Sequence, residues 1–392
     1  MRILIVHNRY QQAGGEDNVV EAEHALLTQH GHDVELLLVD NRDLPNGVLT
    51  QIKTAFTATY SRIGRAKLRE AINFFRPELV HVHNFFPQLS PSIYDACADE
   101  GVAVVQTLHN YRLICPGALL MRDGNICELC ITGSPYQAAV YGCYRNSKLG
   151  SLAVAHMVST HRRLGTWAKK VNHFIACTEF SKSKFTQAGF SEDQISVKPN
   201  FIVDPRPSTD PKNRDDWKTR EPFALFVGRL SPEKGLRTLF KAWTTLDTPY
   251  DLKVAGCGPL EAEMPEQANI VGLGFQEQDN IRSLMNQALF LVVPSEWYEG
   301  FPMVIVEAFA HGLPVLASKL GSMGEIIEDG ITGLFFEPGD ARDLALKACW
   351  LLERPGECRR MGRNARNRYV EKFSPEVNYA QLLSIYMQVI VQ

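Results

Sequence analysis

Short apolar runs that end in glycine-rich or charged loops and give way to helix-like stretches recur along the 392-residue chain, and this alternation constrains its fold more than any other feature. In the first half Arg2–His7, Asp33–Asp40, Leu79–Asn84, Val102–His109 and His173–Thr178 read as strands, and Ile195–Phe201 ends the first domain. Short runs without a polar face suit strands buried on both sides, as in parallel sheets. Residues 203–222 then turn to Pro, Asp, Arg and Lys, a linker composition. The alternation restarts with strands at Phe223–Leu230, Asp251–Gly256, Asn269–Gly274, Leu289–Pro294, Pro314–Ser318 and Leu334–Glu337, and a helix at Gly235–Thr245. Helices at Glu357–Phe373 and Pro375–Val391 follow no further strand. Strand–helix alternation in two blocks implies an α/β chain of two doubly wound parallel sheets.

Other segments carry local signals. Asn18 reads as the cap of a helix over Val19–Gln29 that Gly31 closes, and Ser181 as a second cap. Leu149–Lys170 reads as one helix, with apolar Leu152, Val154, Met157, Val158, Leu164 and Trp167 beside Arg162, Arg163, Lys169 and Lys170. Basic and aromatic residues together suit a membrane surface. Residues 53–69 carry Lys53, Arg62, Arg65, Lys67 and Arg69 among Phe56, Tyr60, Ile63 and Leu68, which reads as an ordinary solvated helix face or a second lipid-facing one. A net charge of −3 argues against a dedicated nucleic-acid binder. Without a run long enough to span a bilayer, and with a strand at the very start, the chain is expected to be cytoplasmic, either free or at the inner face of the membrane. Nine cysteines do not suggest a secreted disulfide scaffold.

Chemistry concentrates in Ser295–Glu307, where a strand leads through a loop into an apolar helix starting at Pro302 and stopping at Gly312. The free N–H groups at Met303 and Val304 and the positive end of the helix dipole suit an anion. Glu307 suits a pair of hydroxyls instead, such as those of a ribose. Glu299 and Glu307 also read as two solvated surface acids. Gly14 and Gly15 lie between a strand and a helix, as a tight turn or a place where backbone approaches a ligand. His83 and His109 stand at strand ends, where open α/β sheets bind ligands. Gly256-Cys257-Gly258 starts a dinucleotide fingerprint that fails at Glu261, which counts against a nicotinamide or flavin enzyme. Cys115, Cys127, Cys130 and Cys143 bracket a Cys-x-x-Cys pair, the spacing of a structural zinc knuckle, or are unrelated buried thiols.

Three stretches carry a family resemblance. Glu299 and Glu307 form Glu-x7-Glu within Glu-Gly-Phe-Pro-x-x-x-x-Glu. Upstream lies Gly228-Arg229-Leu230-Ser231-Pro232-Glu233-Lys234-Gly235, and downstream Glu325–Leu334. Together, in this order and over nearly the whole chain, they resemble the retaining glycosyltransferases of family 4. That resemblance implies a GT-B fold, two Rossmann-like domains facing a central cleft. The acceptor-side domain is expected over residues 1–202, with the cysteine insert at 111–146, completed by a last helix at 375–392. The donor domain is expected over 203–374. The implied donor is a nucleotide-diphosphate sugar, held by Gly14, Gly15, Arg229, Lys234, Gly272, Gly300, Phe301, Pro302, Met303, Val304 and Glu307. His109 and Glu299 line the transferred sugar as the catalytic pair. The implied acceptor is a glycan or polyprenyl-linked carrier, with peripheral membrane contact. No Asp-x-Asp stands at a plausible strand end, so no catalytic metal is expected. The implied route is front-face, with the leaving phosphate assisting deprotonation of the acceptor. A nucleotide-sugar epimerase of the same fold and a non-catalytic nucleotide-sugar-binding module are the competing readings.

Overall fold

The computed structural model describes residues 1–9, 14–43, 57–206, 217, 220–246 and 248–391. Lys53 and Phe56 of the first basic stretch, and most of the expected linker (207–216), lie outside them. The chain divides into two compact units. The first comprises Met1–Arg122, Cys127–Asn200 and Glu376–Gln392, and the second Asp123–Ile126 and Phe201–Pro375.

The first unit is built on β1 (Arg2–Arg9), β2 (Asp33–Asp40), β3 (Leu79–Asn84), β4 (Ala103–Leu108), β5 (His173–Ala176) and β6 (Ile195–Val197). They pair in parallel in the order β2-β1-β3-β4-β5-β6. Alternate residues Ile3 and Ile5 of β1, with Leu79, Val105 and Ile175, face a layer formed by Val20 and Leu27 of α1 (Gly15–Gln29) and by Leu382, Ile385 and Tyr386 of the C-terminal helix (Pro375–Ile390). Helix α2 (Arg62–Phe75) starts at Ser61, whose hydroxyl accepts from the Gly64 amide. Its Arg65 and Arg69 pair with Asp99 and Glu100. This part of the basic stretch is a solvated face laced by ion pairs.

Three local expectations are corrected. Helix α1 begins at Gly15, a turn before Asn18, with Gly14 as its N-cap and Asp17, at the third helical position, folding back to accept from the Gly14 amide at 2.9 Å. Thr178, not Ser181, caps the helix Glu179–Gln187, accepting from the Ser181 amide. The helix expected over Leu149–Lys170 is two, α3 (Lys148–Leu164) and a short turn at Thr166–Lys170, because Gly165 takes φ +66° and ends the first. Val154, Met157, Val158 and Trp167 are buried in the protein and Lys170 pairs with Asp95, so much of the pattern that suggested a membrane surface is spent on the core.

The second unit is built on β7 (Ala224–Val227), β8 (Leu252–Ala255), β9 (Ile270–Gly274), β10 (Phe290–Val293), β11 (Val315–Ser318) and β12 (Gly333–Phe336). Its order is β9-β8-β7-β10-β11-β12, again all parallel. The strands are buried on both faces with period two. Ala224, Phe226, Phe290, Val292 and Leu316 pack on one side with Leu239 and Trp243 of α4 (Leu236–Thr245). Leu225, Leu291, Val293, Val315 and Ala317 pack on the other with Ile305 and Phe309 of α5 (Met303–Ala310). Truncating a fully buried ring such as Phe309 costs about 3–5 kcal/mol. Helices at Gln278–Gln287 and Ala341–Leu352, which the strand pattern left unassigned, complete the two layers. Both units are the doubly wound parallel α/β sheets that the alternation implied. No described helix is long and apolar enough to cross a membrane.

Candidate functional site

The second sheet reverses its strand order between β7 and β10, and ligands of open α/β sheets bind beyond the carboxyl ends at such a reversal. Both strands deliver charged residues there. β7 runs into Gly228 and Arg229, and β10 runs into Pro294–Glu299. Lys234 closes a single 3-10 turn (Pro232–Lys234), after which Gly235 at φ +69° turns the chain into α4. A Cβ on Gly235 would stand 1.8 Å from the Pro294 carbonyl oxygen, so only glycine lets the two loops meet. The Glu296 amide donates to the Glu233 carbonyl at 3.0 Å and ties them further. Gly256 and Gly258, the start of the failed fingerprint, serve the same packing. Their Cβ atoms would lie 1.9 Å from the Gly228 oxygen and 2.4 Å from the Leu230 oxygen.

Held in this way, Lys234 Nζ donates to Glu299 Oε1 at 2.7 Å, and the Ser295 hydroxyl donates to the same oxygen at 2.7 Å. The Ser322 hydroxyl fixes the Glu299 backbone carbonyl at 2.7 Å. Glu299 is buried while Lys234 keeps a quarter of its side chain in solvent. Arg229 pairs with Glu233, and the Ser231 hydroxyl donates to Glu233 at 2.7 Å. Burial alone would raise the Glu233 carboxyl, but Ser231 and the Arg229 guanidinium outweigh it and hold it below the usual range. Each cation of this site therefore faces an acid. Trp297, whose ring lies 5.6 Å from the Lys234 ammonium, buries an indole N–H without a partner among the described residues.

Helix α5 starts at Met303 after Pro302, and its first hydrogen-bonded amide is that of Ile305, to the Pro302 carbonyl. The Met303 and Val304 amides thus have no backbone partner among the described residues. Glu307, one turn on, is half-buried, and no hydrogen bond or ion pair holds its carboxylate among the described residues. Burial raises its pKa, partly offset by Arg282. Gly272 lies in β9, where Met264 fills the space a side chain would take, its sulfur 2.8 Å from the would-be Cβ. Gly300 and Phe301 lie in the loop between Glu299 and α5.

The first unit holds the remaining candidates. His109 follows β4 and lines a small polar pocket with His83, Phe86, Gln106, Asn110 and Arg112. His109 Nε2 shares a hydrogen with His83 Nδ1 at 2.9 Å, and the two rings stack. Behind them lies a sealed group that sequence reasoning missed. His83 Nε2 stands 3.3 Å from Glu23 Oε2, and the other Glu23 oxygen accepts from the Lys198 ammonium at 2.8 Å. Lys198 also donates to Asn378 of the C-terminal helix at 3.2 Å. His81 lies between Tyr386 at 2.7 Å and Thr107 at 2.8 Å. Burial lowers the pKa of His81, His83 and His109, so all three are neutral at pH 7. Burial would raise Glu23, but the Lys198 ammonium holds it well below its usual value.

Gly14 and Gly15 open α1, but two acids already occupy that tip. Asp17 accepts from Gly14 and from His7, and Glu16 accepts from Asn110 at 2.9 Å. A second anion is disfavoured there. The four cysteines Cys115, Cys127, Cys130 and Cys143 all belong to this unit and none is in a disulfide. Glu23 could have been found from the sequence: with Val19, Val20, Leu26 and Leu27 it falls on the buried stripe of α1. Lys198, 175 positions away, carried no such signal.

Residues 13–206 match the family described as Glycosyltransferase Family 4, and residues 209–368 match the one described as Glycosyl transferases group 1. The chain is similar to an uncharacterized glycosyltransferase of Methanocaldococcus jannaschii, 36% identical over 160 residues that cover 39% of this chain and 44% of that protein. It spans less than half the length of the first curated relatives it matches. It is 22% identical to the N-acetyl-alpha-D-glucosaminyl L-malate synthase of Bacillus anthracis, over 100% of this chain and 98% of that protein. In fold it is similar to Anabaena HepE, solved in complex with UDP, with a TM-score of 0.68 at 18% identity, covering 99% of this chain and 100% of that one.

Proposed function

The chain belongs to the family-4-type glycosyltransferases of GT-B fold, and from that premise we propose that it transfers a sugar from a nucleoside-diphosphate sugar to a glycan or polyprenyl-linked acceptor, with retention of configuration. The observation that carries this reading is the arrangement at the reversal of the second sheet: two cations held in place by acids, next to a helix whose first amides and whose Glu307 carboxylate have no hydrogen-bond partner among the described residues. Departure of the nucleotide builds negative charge on phosphate oxygens. Arg229 and Lys234 exchange their carboxylate partners for that charge, and the Met303 and Val304 amides add the helix dipole. Gly300, Phe301 and Pro302 set the entry to that helix.

Glu307 accepts from the ribose hydroxyls, and its missing partner is the place they fill. Glu299, once Lys234 turns to phosphate, is a fixed acceptor for the hydroxyls of the transferred sugar. The base lies along β9 at Gly272. In the first unit, neutral His109 has one ring nitrogen bound to His83 and offers the other to a sugar hydroxyl. The tip at Gly14–Gly15, already acidic, suits hydroxyls better than phosphate. A polyprenyl-linked acceptor would bring the protein to the inner face of the membrane. The UDP bound to the Anabaena neighbour supports a nucleoside diphosphate as the leaving group.

The test is a melting-temperature screen against UDP-, GDP- and ADP-sugars, followed by product analysis with the donor that protects. A ligand that binds only the folded chain raises its apparent stability by mass action. One nucleotide class should protect the wild type and not Lys234→Ala. Protection by none of them refutes the reading, as does donor turnover to an isomer with no acceptor present.

A further inference from the structure

Glycosyl transfer makes no use of Cys115, Cys127, Cys130 and Cys143, yet the stretch that holds them has little else to define it. Between β4 and α3 its regular structure is a hairpin of two-residue strands (Met121–Arg122 with Asn125–Ile126) and helices at Leu129–Thr132 and Gln137–Tyr141. Five residues other than glycine take positive φ there: Ala118, Leu120, Asp123, Arg145 and Asn146. Such conformations cost about 1–3 kcal/mol each and persist only where the surroundings fix them. Elements this short do not fix themselves.

Each cysteine comes from a different piece of the stretch, and each is held by backbone bonds. The Cys115 carbonyl accepts from Ala118, the Cys127 amide donates to Leu120 at 2.8 Å, and the Cys143 amide donates to Ala138 at 3.1 Å. Arg162 of α3 donates to the carbonyls of Cys130 and Gly133, both at 3.2 Å. Cys115 and Cys143 meet over Gly117: a Cβ placed there would lie 3.8 Å from the Cys115 sulfur and 3.5 Å from the Cys143 Cβ. Within the stretch Arg122 lies over the Tyr141 ring, and Arg112 and Arg145 over that of Tyr144.

We propose that Cys115, Cys127, Cys130 and Cys143 bind one zinc ion as a structural tetrathiolate site that pins this stretch to the loop after His109. Cys127 and Cys130, two residues apart, supply one edge of the tetrahedron, and Cys115 and Cys143 the opposite edge. Binding releases the thiol protons, and the ion draws the sulfurs to its own bonds of about 2.3 Å. The link to the loop is direct: the Cys115 amide donates to Tyr111 at 2.8 Å and the Tyr111 amide to Ala118 at 3.2 Å, two residues beyond His109. Among the described residues Glu23, His81 and His83 place ligating atoms within 4.8 Å of one another, and no three of the four cysteine sulfurs do, so the ion has to draw the thiols together; at the histidine group the Lys198 ammonium already supplies the cation.

The experiment is elemental analysis of untagged protein purified under reducing conditions without added metal, together with the absorption spectrum after exchange into cobalt(II). About one zinc per chain is expected, with the intense thiolate-to-cobalt and tetrahedral bands of a sulfur-rich site. Cys127→Ser and Cys130→Ser should lose both signals, whereas Cys257→Ser, an exposed cysteine outside the set, should keep them. Should the serine variants fail to fold, the wild-type zinc content and cobalt spectrum decide alone. Metal-free protein that takes up neither ion overturns the proposal, as does a Cys127–Cys130 disulfide found by mass spectrometry or an equal loss in Cys257→Ser.

Discussion

The two units each place a lysine against a glutamate, and the two pairs differ in what surrounds them. Lys198 and Glu23 are sealed, with every neighbour part of the fold, including Asn378 from the C-terminal helix. Lys234 and Glu299 are half open: the acid is buried but the ammonium reaches solvent. A sealed pair is fixed once the chain folds. An open one can trade partners when an anion arrives. The contrast separates residues that hold the protein together from residues available for binding, although their side-chain chemistry is the same.

The largest effect that could break this contrast is in the sealed pair. Glu23→Ala leaves an ammonium buried and uncompensated, and should lower unfolding free energy by about 3–5 kcal/mol in urea titrations. Glu23→Leu combined with Lys198→Met should recover most of that loss, since an apolar pair of similar volume often replaces a buried ion pair at no cost. A loss below about 1 kcal/mol in the single variant would show that the pair is not sealed. In the open pair, Lys234→Ala should lower turnover by about 10²–10³-fold, the usual effect of removing one charge-stabilising donor, and abolish protection by the donor. Turnover within a few-fold of wild type would place the leaving group elsewhere.

Acid sharpens the same comparison. The folded pKa values of His81, His83 and His109 are lowered, so below about 6.5 the unfolded chain binds more protons and stability falls with pH. The slope is up to about 1.4 kcal/mol per pH unit for each group. Glu23, also lowered, adds its loss below about 4.3. Urea midpoints from pH 8 to pH 5 should stay level above 6.5 and then drop, and His81→Gln should flatten the drop. The smallest effect belongs to Glu233→Gln. Its partner Arg229 is more than half exposed, so stability should change by less than about 1 kcal/mol. Donor affinity should rise, because Arg229 no longer has to leave an acid, and a titration of the protecting nucleotide would register it.

The sheets were legible because their strands are buried on both faces, and uninterrupted runs such as Phe290–Val293 leave little alternative. What the sequence blurred was whatever depended on competition between neighbours. Asn18 and Ser181 are good caps, but Gly14, tied back by Asp17, and Thr178 take those places first. Gly165 stands inside a helical pattern and ends it. In the candidate site the residue types were readable and their pairing was not. Glu233 lies four residues from Arg229, yet only the fold shows that each cation is already matched by an acid. Glu23 and Lys198 meet only after five strands have come together.

The missing side chain at Gly235 has a practical meaning for anyone who wishes to re-engineer the loops that carry Lys234 and Glu299. With the Pro294 carbonyl pressed where a methyl group would stand, the segments bearing Lys234 and Glu299 fit as tooth and socket. Grafting one of them from a homologue without the other would import a mismatch into the seam. The two are to be transplanted as a single cassette.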